Sequence, residues 1–180
     1  QNVRQAGEDI PAGAEVIAPG RRMTPADLGL AASLGIAEVT VRRRLRVAFF
    51  STGDELRSLG EPLAPGMIYD SNRYTLYGML SELGVEVLDM GVVRDDKAAL
   101  IEAFSTAGRN ADAVISSGGV SVGEADYTRE VMAAVGEVAL WKVAMKPGRP
   151  MAFGRVGGAV FFGLPGNPVS VMVTFYEFVR

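Results

Sequence analysis

From residue 45 onward, the apolar positions of this chain alternate between short continuous runs and runs with helical spacing. The continuous runs "LRVAFF", "VEVLDM" and "ADAVIS" are too short for helices and are typical of buried strands. Between the first two runs, apolar residues recur at helical spacing before Gly84, at Leu76, Met79, Leu80 and Leu83. This alternation predicts an α/β fold, in which a mostly parallel sheet is covered by helices on both faces to form three layers.

The second half of the chain continues the alternation. Either Asp95 or Asp96 can cap a helix, and "DYTREVMAAVG" predicts another. The run "EVALWKVAMK" predicts a strand, and "MAFGRV" with "AVFFG" predicts a hairpin that turns at Gly157 and Gly158. Asn167 followed by Pro168 is typical of an N-cap with proline at the first helical position, so a final helix is expected there.

The first 42 residues have a different pattern. Short apolar pieces between Gly and Pro predict short strands and turns, and Thr24 followed by Pro25 predicts the start of a helix. We therefore expect residues 1–42 to be part of a small β-rich and helical preceding domain, and residues 43–180 to form the α/β domain. Because Gln1 is not a Met, we expect the chain to be an internal part of a longer protein.

Composition narrows the chemistry available to the chain. It has no Cys and no His, which excludes thiolate nucleophiles, zinc–cysteine sites and histidine bases. Any metal is expected to be a hard ion such as Mg²⁺, bound by oxygen atoms. The net charge of −3 argues against a nucleic-acid partner, and no apolar run is long enough to predict a membrane span. A chain without Cys is compatible with the cytoplasm.

Every unusual loop follows a predicted strand. These loops are "STGDE", "GVVRDD", "SSGGVSVGEAD", "KPGRP" and "GLPGNP". In parallel sheets, ligands bind beyond the carboxyl ends of the strands. The common placement of the loops therefore predicts a binding site at one edge of the sheet.

The glycine-rich loop "SSGGVSVG" can bind an anion. Glycines allow backbone N–H groups to converge, and the hydroxyl groups of Ser116, Ser117 and Ser121 add donors. The same letters also fit a plain turn from a strand to a helix, and the loop alone does not decide between the two.

Charged residues offer two further groups of candidates. Lys142 and Lys146 alternate with apolar residues, which places both on one face of a predicted strand, and Arg149 follows. A solvated edge is one interpretation, but the other positions of the strand are apolar and three cations suit a dianion, which favours a binding function. Asp126 is either a metal ligand or a carboxylate in the first turn of a helix. Together, the residues predict an α/β domain that binds an anionic, phosphate-like ligand with Mg²⁺.

The loops, in this order, resemble the molybdopterin molybdenumtransferase family. The matching segments are "FSTGDEL", "YDSNR", "VRDD", "SSGGVSVGEADY", "MKPGRP" and "GLPGNPVS", and "NVRQAGEDIPAG" resembles the family's smaller preceding domain. The resemblance implies that molybdate is inserted into the dithiolene of adenylated molybdopterin, with cleavage of the adenylate and help from Mg²⁺. It also implies a cytoplasmic homodimer in the full-length protein, supplied by an adenylyltransferase.

The resemblance also implies roles for individual residues. The positions that match the family's catalytic residues are Asp126, Glu55, Asp95, Lys142 and Lys146, of which Asp126 and Glu55 match metal ligands. The positions that match cofactor-binding residues are Ser117, Gly118, Gly119, Ser121, Arg149, Pro150, Pro165 and Pro168. Arg149 stands where many relatives have lysine, so the geometry of oxyanion contacts is expected to differ.

Three alternatives remain open from the sequence. A molybdopterin adenylyltransferase has the same core fold, although its glycine turn typically reads Gly-Gly-Thr-Gly and this chain reads "GGVSVG". A non-catalytic scaffold of the same fold would instead show an apolar docking groove. A generic nucleotide-binding domain would bind ATP without binding a pterin.

Overall fold

The computed structural model describes residues 3–120 and 125–180, with the backbone alone described for residues 125, 126, 129, 140 and 141. The chain divides into two compact units, Gln1–Arg43 and Arg44–Arg180. In the described part of the chain, no helix is long and apolar enough to cross a membrane.

Residues 3–43 of the first unit contain one helix, α1 (Pro25–Ser33), which begins where the sequence predicts. Thr24 and Asp27 form a capping box: the Thr24 hydroxyl accepts from the Asp27 N–H group, and the Asp27 carboxylate accepts from the Thr24 N–H group at 2.8 Å. The short strands expected before α1 are absent from residues 3–43. Glycines in turns and prolines without an N–H group interrupt each apolar piece before a hydrogen-bond ladder can form.

The second unit is built on a six-stranded sheet in the order β4-β1-β5-β8-β7-β6. Its strands are β1 (Arg46–Thr52), β4 (Glu86–Val93), β5 (Ala113–Ser117), β6 (Gly136–Lys142), β7 (Pro150–Val156) and β8 (Ala159–Leu164). The pairs of β1 with β4, β1 with β5 and β5 with β8 are parallel, whereas β7 is antiparallel to both β8 and β6. A separate two-stranded parallel sheet joins β2 (Leu56–Arg57) and β3 (Ile68–Tyr69).

Helices cover both faces of the six-stranded sheet. They are α2 (Ser71–Glu82), α3 (Lys97–Asn110), α4 (Ala125–Val135) and α5 (Pro168–Phe178). Alternate residues of β1 enter different cores: Ala48 and Phe50 pack with α3 and α4, whereas Val47 and Phe49 pack with α2 and α5. This confirms the predicted three-layer α/β fold with a mostly parallel sheet.

The strand predicted over "EVALWKVAMK" is wrong for its last four residues, 143–146, because β6 ends at Lys142. The Val143 N–H group donates to the Arg149 carbonyl oxygen at 3.0 Å, which closes a loop instead of extending the strand. Pro147 has no N–H group for a ladder, and Gly148 has a φ of 99°. Lys142 and Lys146 therefore do not share one strand face.

The described parts of the predicted loops lie at one edge of the sheet, which we call the carboxyl edge. The parallel strands β4, β1, β5 and β8 end there. Because β7 is antiparallel to β8, its first residues lie beside the end of β8, and Lys142 at the end of β6 pairs with Pro150 at the start of β7. The loop that carries Lys146 and Arg149 is thus brought to the same edge as the carboxylates after β1 and β4.

Candidate functional site

One end of the carboxyl edge carries four carboxylates, and we call it the acidic end. These residues follow the last residues of β1 and β4 in the chain and are Asp54, Glu55, Asp95 and Asp96. The Asp95 N–H group donates to Asp54 Oδ1 at 3.3 Å, which joins the two loops. Burial raises the pKa of Asp95 above its usual 3.8, and the negative charges of Asp54, Glu55 and Asp96 raise it further. Asp95 Oδ1 is also buried without a hydrogen-bond partner among the described atoms.

The two neighbouring aspartates after β4 have different roles. Asp96 Oδ1 accepts from the N–H groups of Ala98 and Ala99, both at 3.0 Å, and so caps α3. Asp95 makes no such cap. This confirms the prediction that one aspartate of "RDD" caps the helix and leaves the other available.

A wide cleft of about 970 Å³ adjoins the acidic end. Besides Asp54, Asp95 and Asp96, its lining includes Arg57, Arg73 and Arg94. Arg73 Nε lies 2.9 Å from both Asp89 carboxylate oxygens, so this arginine is held in place by an ion pair. Both cations and carboxylates therefore line the cleft.

The middle of the carboxyl edge holds a smaller cavity of about 220 Å³, which we call the central cavity. The ends of β1 and β5 and the first residues of α2 and α5 surround it. Its lining residues are Thr52, Glu55, Leu56, Ile68, Tyr69, Asp70, Ser71, Asn72, Ser117, Gly118, Gly119, Gly166, Asn167 and Pro168.

The Gly118–Gly119 turn forms one wall of the central cavity. Both glycines have positive φ values, 88° and 69°. A Cβ atom at Gly118 would lie 2.4 Å from the Thr52 carbonyl oxygen, and one at Gly119 would lie 2.7 Å from Thr128 Oγ1. Close packing against the end of β1 therefore requires glycine at both positions whether or not a ligand binds. The Gly118 N–H group already donates to the Leu164 carbonyl oxygen at 3.1 Å, so it is not available to an anion.

The other end of the carboxyl edge is a cationic loop, residues 143–149, between β6 and β7. A surface depression of about 630 Å³ is lined by Ala144, Met145, Lys146 and Arg149, and both cations are exposed. Gly148 is buried against α5, where a Cβ atom would lie 2.7 Å from Thr174 Cγ2. The cationic loop therefore packs on the helix whose N-terminus borders the central cavity.

The other predicted residues take several positions. Ser117 is buried and accepts a hydrogen bond from Asn72 Nδ2 at 3.1 Å, and Pro165 is buried directly after β8. Pro168 is the first residue of α5, and Asn167 caps that helix as predicted. Asp126 is the second residue of α4, where the backbone alone is described. Ser121 lies outside the described residues.

Sequence reasoning gave no roles to several residues of the central cavity. Asp70 caps α2 by accepting from the Arg73 N–H group at 3.1 Å, and Asn72 and Tyr69 line the cavity beside it. The signal was present in "YDSN", since an Asp before a helical pattern is typical of an N-cap. Within the residues described with side chains, no three carboxylates form a group that could hold a metal ion.

The chain matches a known protein family and several of its members. The family model described as "Probable molybdopterin binding domain" matches residues 48–180. The chain is 53% identical, over all of its length, to a molybdopterin molybdenumtransferase of Haemophilus influenzae, and it spans 45% of that relative. It is 43% identical over 94% of its length to a molybdopterin molybdenumtransferase of Nostoc, of which it spans 40%.

Solved structures have the same architecture. A molybdopterin biosynthesis MoeA protein from Pyrococcus horikosii matches with a TM-score of 0.81 and 39% identity, over 96% of this chain and 43% of that chain. A Mog protein from Mycobacterium ulcerans matches with a TM-score of 0.55 and 23% identity, over 76% of this chain and 95% of that one, which shows a common fold. The chain spans about half the length of the curated relatives it matches, or less.

Proposed function

The chain belongs to the family of molybdopterin-binding domains, and we propose that it supplies the substrate-binding edge of a molybdopterin molybdenumtransferase. In the proposed reaction, molybdate enters the dithiolene of adenylated molybdopterin and the adenylate is released as AMP. The observation that supports this proposal is the carboxyl edge itself, which presents an acidic end, a central cavity and a cationic loop in that order.

Molybdate is a tetrahedral dianion and needs cations and hydroxyl donors. We assign it to the cationic loop, where Lys146 and Arg149 are exposed and Lys142 and Pro150 lie at the adjoining strand ends. A guanidinium group donates through a planar fork and an ammonium group acts as a compact charge, so the two can contact different oxygen atoms of one anion. Ser121 is assigned to the same step through the family resemblance.

One carboxylate at the acidic end has the character of a Mg²⁺ ligand, although the carboxylates described there do not by themselves form a metal-binding group. Oxygen atoms are the ligands that this ion prefers, and the buried, unpartnered Oδ1 of Asp95 fits such an ion. By the family resemblance, Asp126 and Glu55 would hold it, with Asp95 as a further candidate ligand. When bound, Mg²⁺ would neutralise the charge of the phosphates during release of AMP. Asp54 positions Asp95 through its hydrogen bond to the Asp95 N–H group.

The sequence motifs favour the insertion reaction over the adenylyltransferase reaction, because the glycine turn reads "GGVSVG". We also propose that the protein acts as a homodimer in the cytoplasm and receives its substrate from an adenylyltransferase. The size of the protein in solution, measured by light scattering, tests the homodimer: a monomer at working concentrations would contradict it.

Binding of molybdopterin and of its adenylated form to the chain, followed by pterin fluorescence with ATP as the control, tests the proposed function. We expect both pterins to bind and ATP not to bind appreciably. Turnover is tested in a protein of the relatives' full length that carries this chain. There, Asp126→Ala is expected to abolish Mg²⁺-dependent release of AMP with the fold intact, and unchanged turnover would remove Asp126 from the reaction.

A further inference from the structure

Three backbone N–H groups near the rim of the central cavity are not available to a phosphate group. The N–H groups of Val169 and Ser170, at the start of α5, donate to Asn167 Oδ1 at 3.1 and 3.3 Å. The Gly118 N–H group donates to the Leu164 carbonyl oxygen. These backbone donors are therefore already used within the protein.

The charges around the central cavity also disfavour an anion. Its described lining includes the carboxylates of Asp70 and Glu55 and contains no lysine or arginine. A phosphate placed there would meet two negative charges and no cation. The exposed cations of the cationic loop offer it a better site, beyond the first turns of α5.

Besides the unpartnered Thr52 hydroxyl, which can donate or accept, the central cavity presents two hydrogen-bond acceptors without partners. Asp70 is only 2% exposed, and while its Oδ1 accepts from the Arg73 N–H group, its Oδ2 has no partner among the described atoms. The Asn72 amide donates to the Gly166 carbonyl oxygen at 2.7 Å. Because a carbonyl can only accept, this contact identifies the amide atom near Gly166 as the nitrogen. The amide oxygen, Asn72 Oδ1, then has no hydrogen-bond partner. Buried acceptors of this kind favour a ligand that donates.

Two partly exposed apolar side chains line the same cavity as these acceptors. Ile68 and Tyr69, on β3, line the cavity while remaining 55% and 42% exposed. The Tyr69 hydroxyl donates to the Glu61 carbonyl oxygen at 3.1 Å, which holds the ring in place. An exposed, oriented aromatic ring beside polar acceptors is suited to stack against a planar heterocycle.

We propose that the central cavity binds the pterin ring of the substrate, with Asp70 and Asn72 accepting hydrogen bonds from its donor edge. This inference rests on the proposed function and deepens it. The aminopyrimidinone part of a pterin places an amino group next to a ring N–H, so two donors stand side by side. Adenine places its amino group next to a ring nitrogen that accepts a hydrogen bond, so it offers one donor in place of two to the acceptor oxygens of Asp70 and Asn72. The phosphate and the molybdate then lie outside the cavity, toward the cationic loop.

The test compares the binding of a simple pterin, without dithiolene or phosphate, to the chain and to its Asp70→Asn variant by fluorescence titration. Asparagine caps helices about as well as aspartate, so α2 is preserved while one acceptor oxygen becomes a donor. We expect binding to weaken at least about tenfold, as for the loss of a hydrogen bond to a charged group. Glu86→Gln is the matched control, since Glu86 lies at the start of β4, at the opposite end of that strand from the carboxyl edge, and it should bind like the original chain.

A second variant and four further ligands complete the test. Tyr69→Ala changes an exposed side chain, and we expect weaker pterin binding with unchanged circular dichroism. Lumazine, in which an oxo group replaces the amino group, and adenosine should both bind more weakly than the pterin. Guanosine has the same donor edge, so binding of guanosine as tight as that of the pterin would overturn the assignment to a pterin. Displacement of the pterin by inorganic phosphate would overturn the placement of phosphate outside the cavity.

The outcomes separate this inference from the proposed function. If molybdopterin binds equally to the original chain and to Asp70→Asn, the inference is overturned and the proposed function stands. If the simple pterin binds and Asp70→Asn weakens it, while molybdopterin does not bind, the inference stands and the proposed function falls. If neither pterin binds to a folded chain, both are overturned.

Discussion

The two ends of the carboxyl edge differ in charge and in how firmly they are held. At the acidic end, Asp95 is tied to Asp54 by a hydrogen bond, and its carboxylate is partly buried among like charges. In the cationic loop, Lys146 and Arg149 are exposed, and neither forms an ion pair within residues 3–120 and 125–180. The central cavity lies between these two regions.

The difference teaches that the cations of the cationic loop are kept apart from the carboxylates of the acidic end, whose cleft is lined by Arg57, Arg73 and Arg94 instead. If Lys146 and Arg149 lay directly beside Asp95, ion pairs between them would compete with the binding of either ligand. Separation by the ends of β5 and β8 leaves each end able to bind a ligand of opposite charge. If this is correct, changes at one end should alter one ligand and leave the other unaffected.

The largest effect is expected from Lys146→Ala, measured as the affinity for molybdate by isothermal titration calorimetry. Loss of a charge-assisted hydrogen bond, which contributes about 1.5–3 kcal/mol, should weaken binding about 10- to 100-fold. Arg155→Ala, on β7 away from the loop, is the control and should leave the affinity unchanged. Equal molybdate affinity in Lys146→Ala would remove the cationic loop from oxyanion binding.

The acidic end is tested by Asp95→Asn, with Mg²⁺ affinity as the measurement. Residues that merely support metal ligands contribute about tenfold or more to metal affinity, so loss of a direct ligand should weaken Mg²⁺ binding at least as much. Molybdate affinity should not change. A parallel loss of both affinities would show that the two ends act as one site and would break the comparison.

Within the acidic end, Asp95 and Asp96 are expected to contribute differently to the free energy of unfolding. Asp96→Ala removes the cap of α3 and should lower the free energy of unfolding by about 1 kcal/mol, measured by urea denaturation. Asp95→Ala removes no cap and should not cause a comparable loss. An equal loss of stability in the two variants would contradict the division of roles between Asp95 and Asp96.

The smallest effect is expected in the pH dependence of stability. Since the pKa of Asp95 is raised in the folded state, ionised Asp95 opposes folding at neutral pH, and this opposition fades as the pH falls through the raised pKa toward 3.8. Asp95→Asn should therefore be more stable than the original chain at neutral pH, by no more than about 0.5 kcal/mol for a partly exposed site.

Thermal unfolding of both proteins with EDTA present, from neutral pH down to about pH 4, measures this difference. The two midpoints should converge as the pH falls. A constant difference across the range would show that ionisation of Asp95 does not cause it.

Much of the fold could be predicted because local patterns determine it. Apolar periodicity located the strands and helices, and proline after a capping residue located the start of α5. The order of strands and helices then brought the loops to a common edge. The extent of β6 could not be read in the same way, because its apolar alternation continues past Lys142, where the backbone already turns back to meet Arg149.

The sequence by itself determined the α/β layers, the residue types available for chemistry and the edge where they meet. Only the tertiary structure decided which of those groups remain able to bind a ligand. The sequence "SSGGV" indicates that the Gly118 N–H group could bind an anion, but in the structure it donates to the Leu164 carbonyl oxygen. The sequence indicates only a helix cap at Asp70, but in the structure its second carboxylate oxygen has no hydrogen-bond partner. The physical reason is that hydrogen bonds are satisfied by neighbours in space, and those neighbours come from distant parts of the chain.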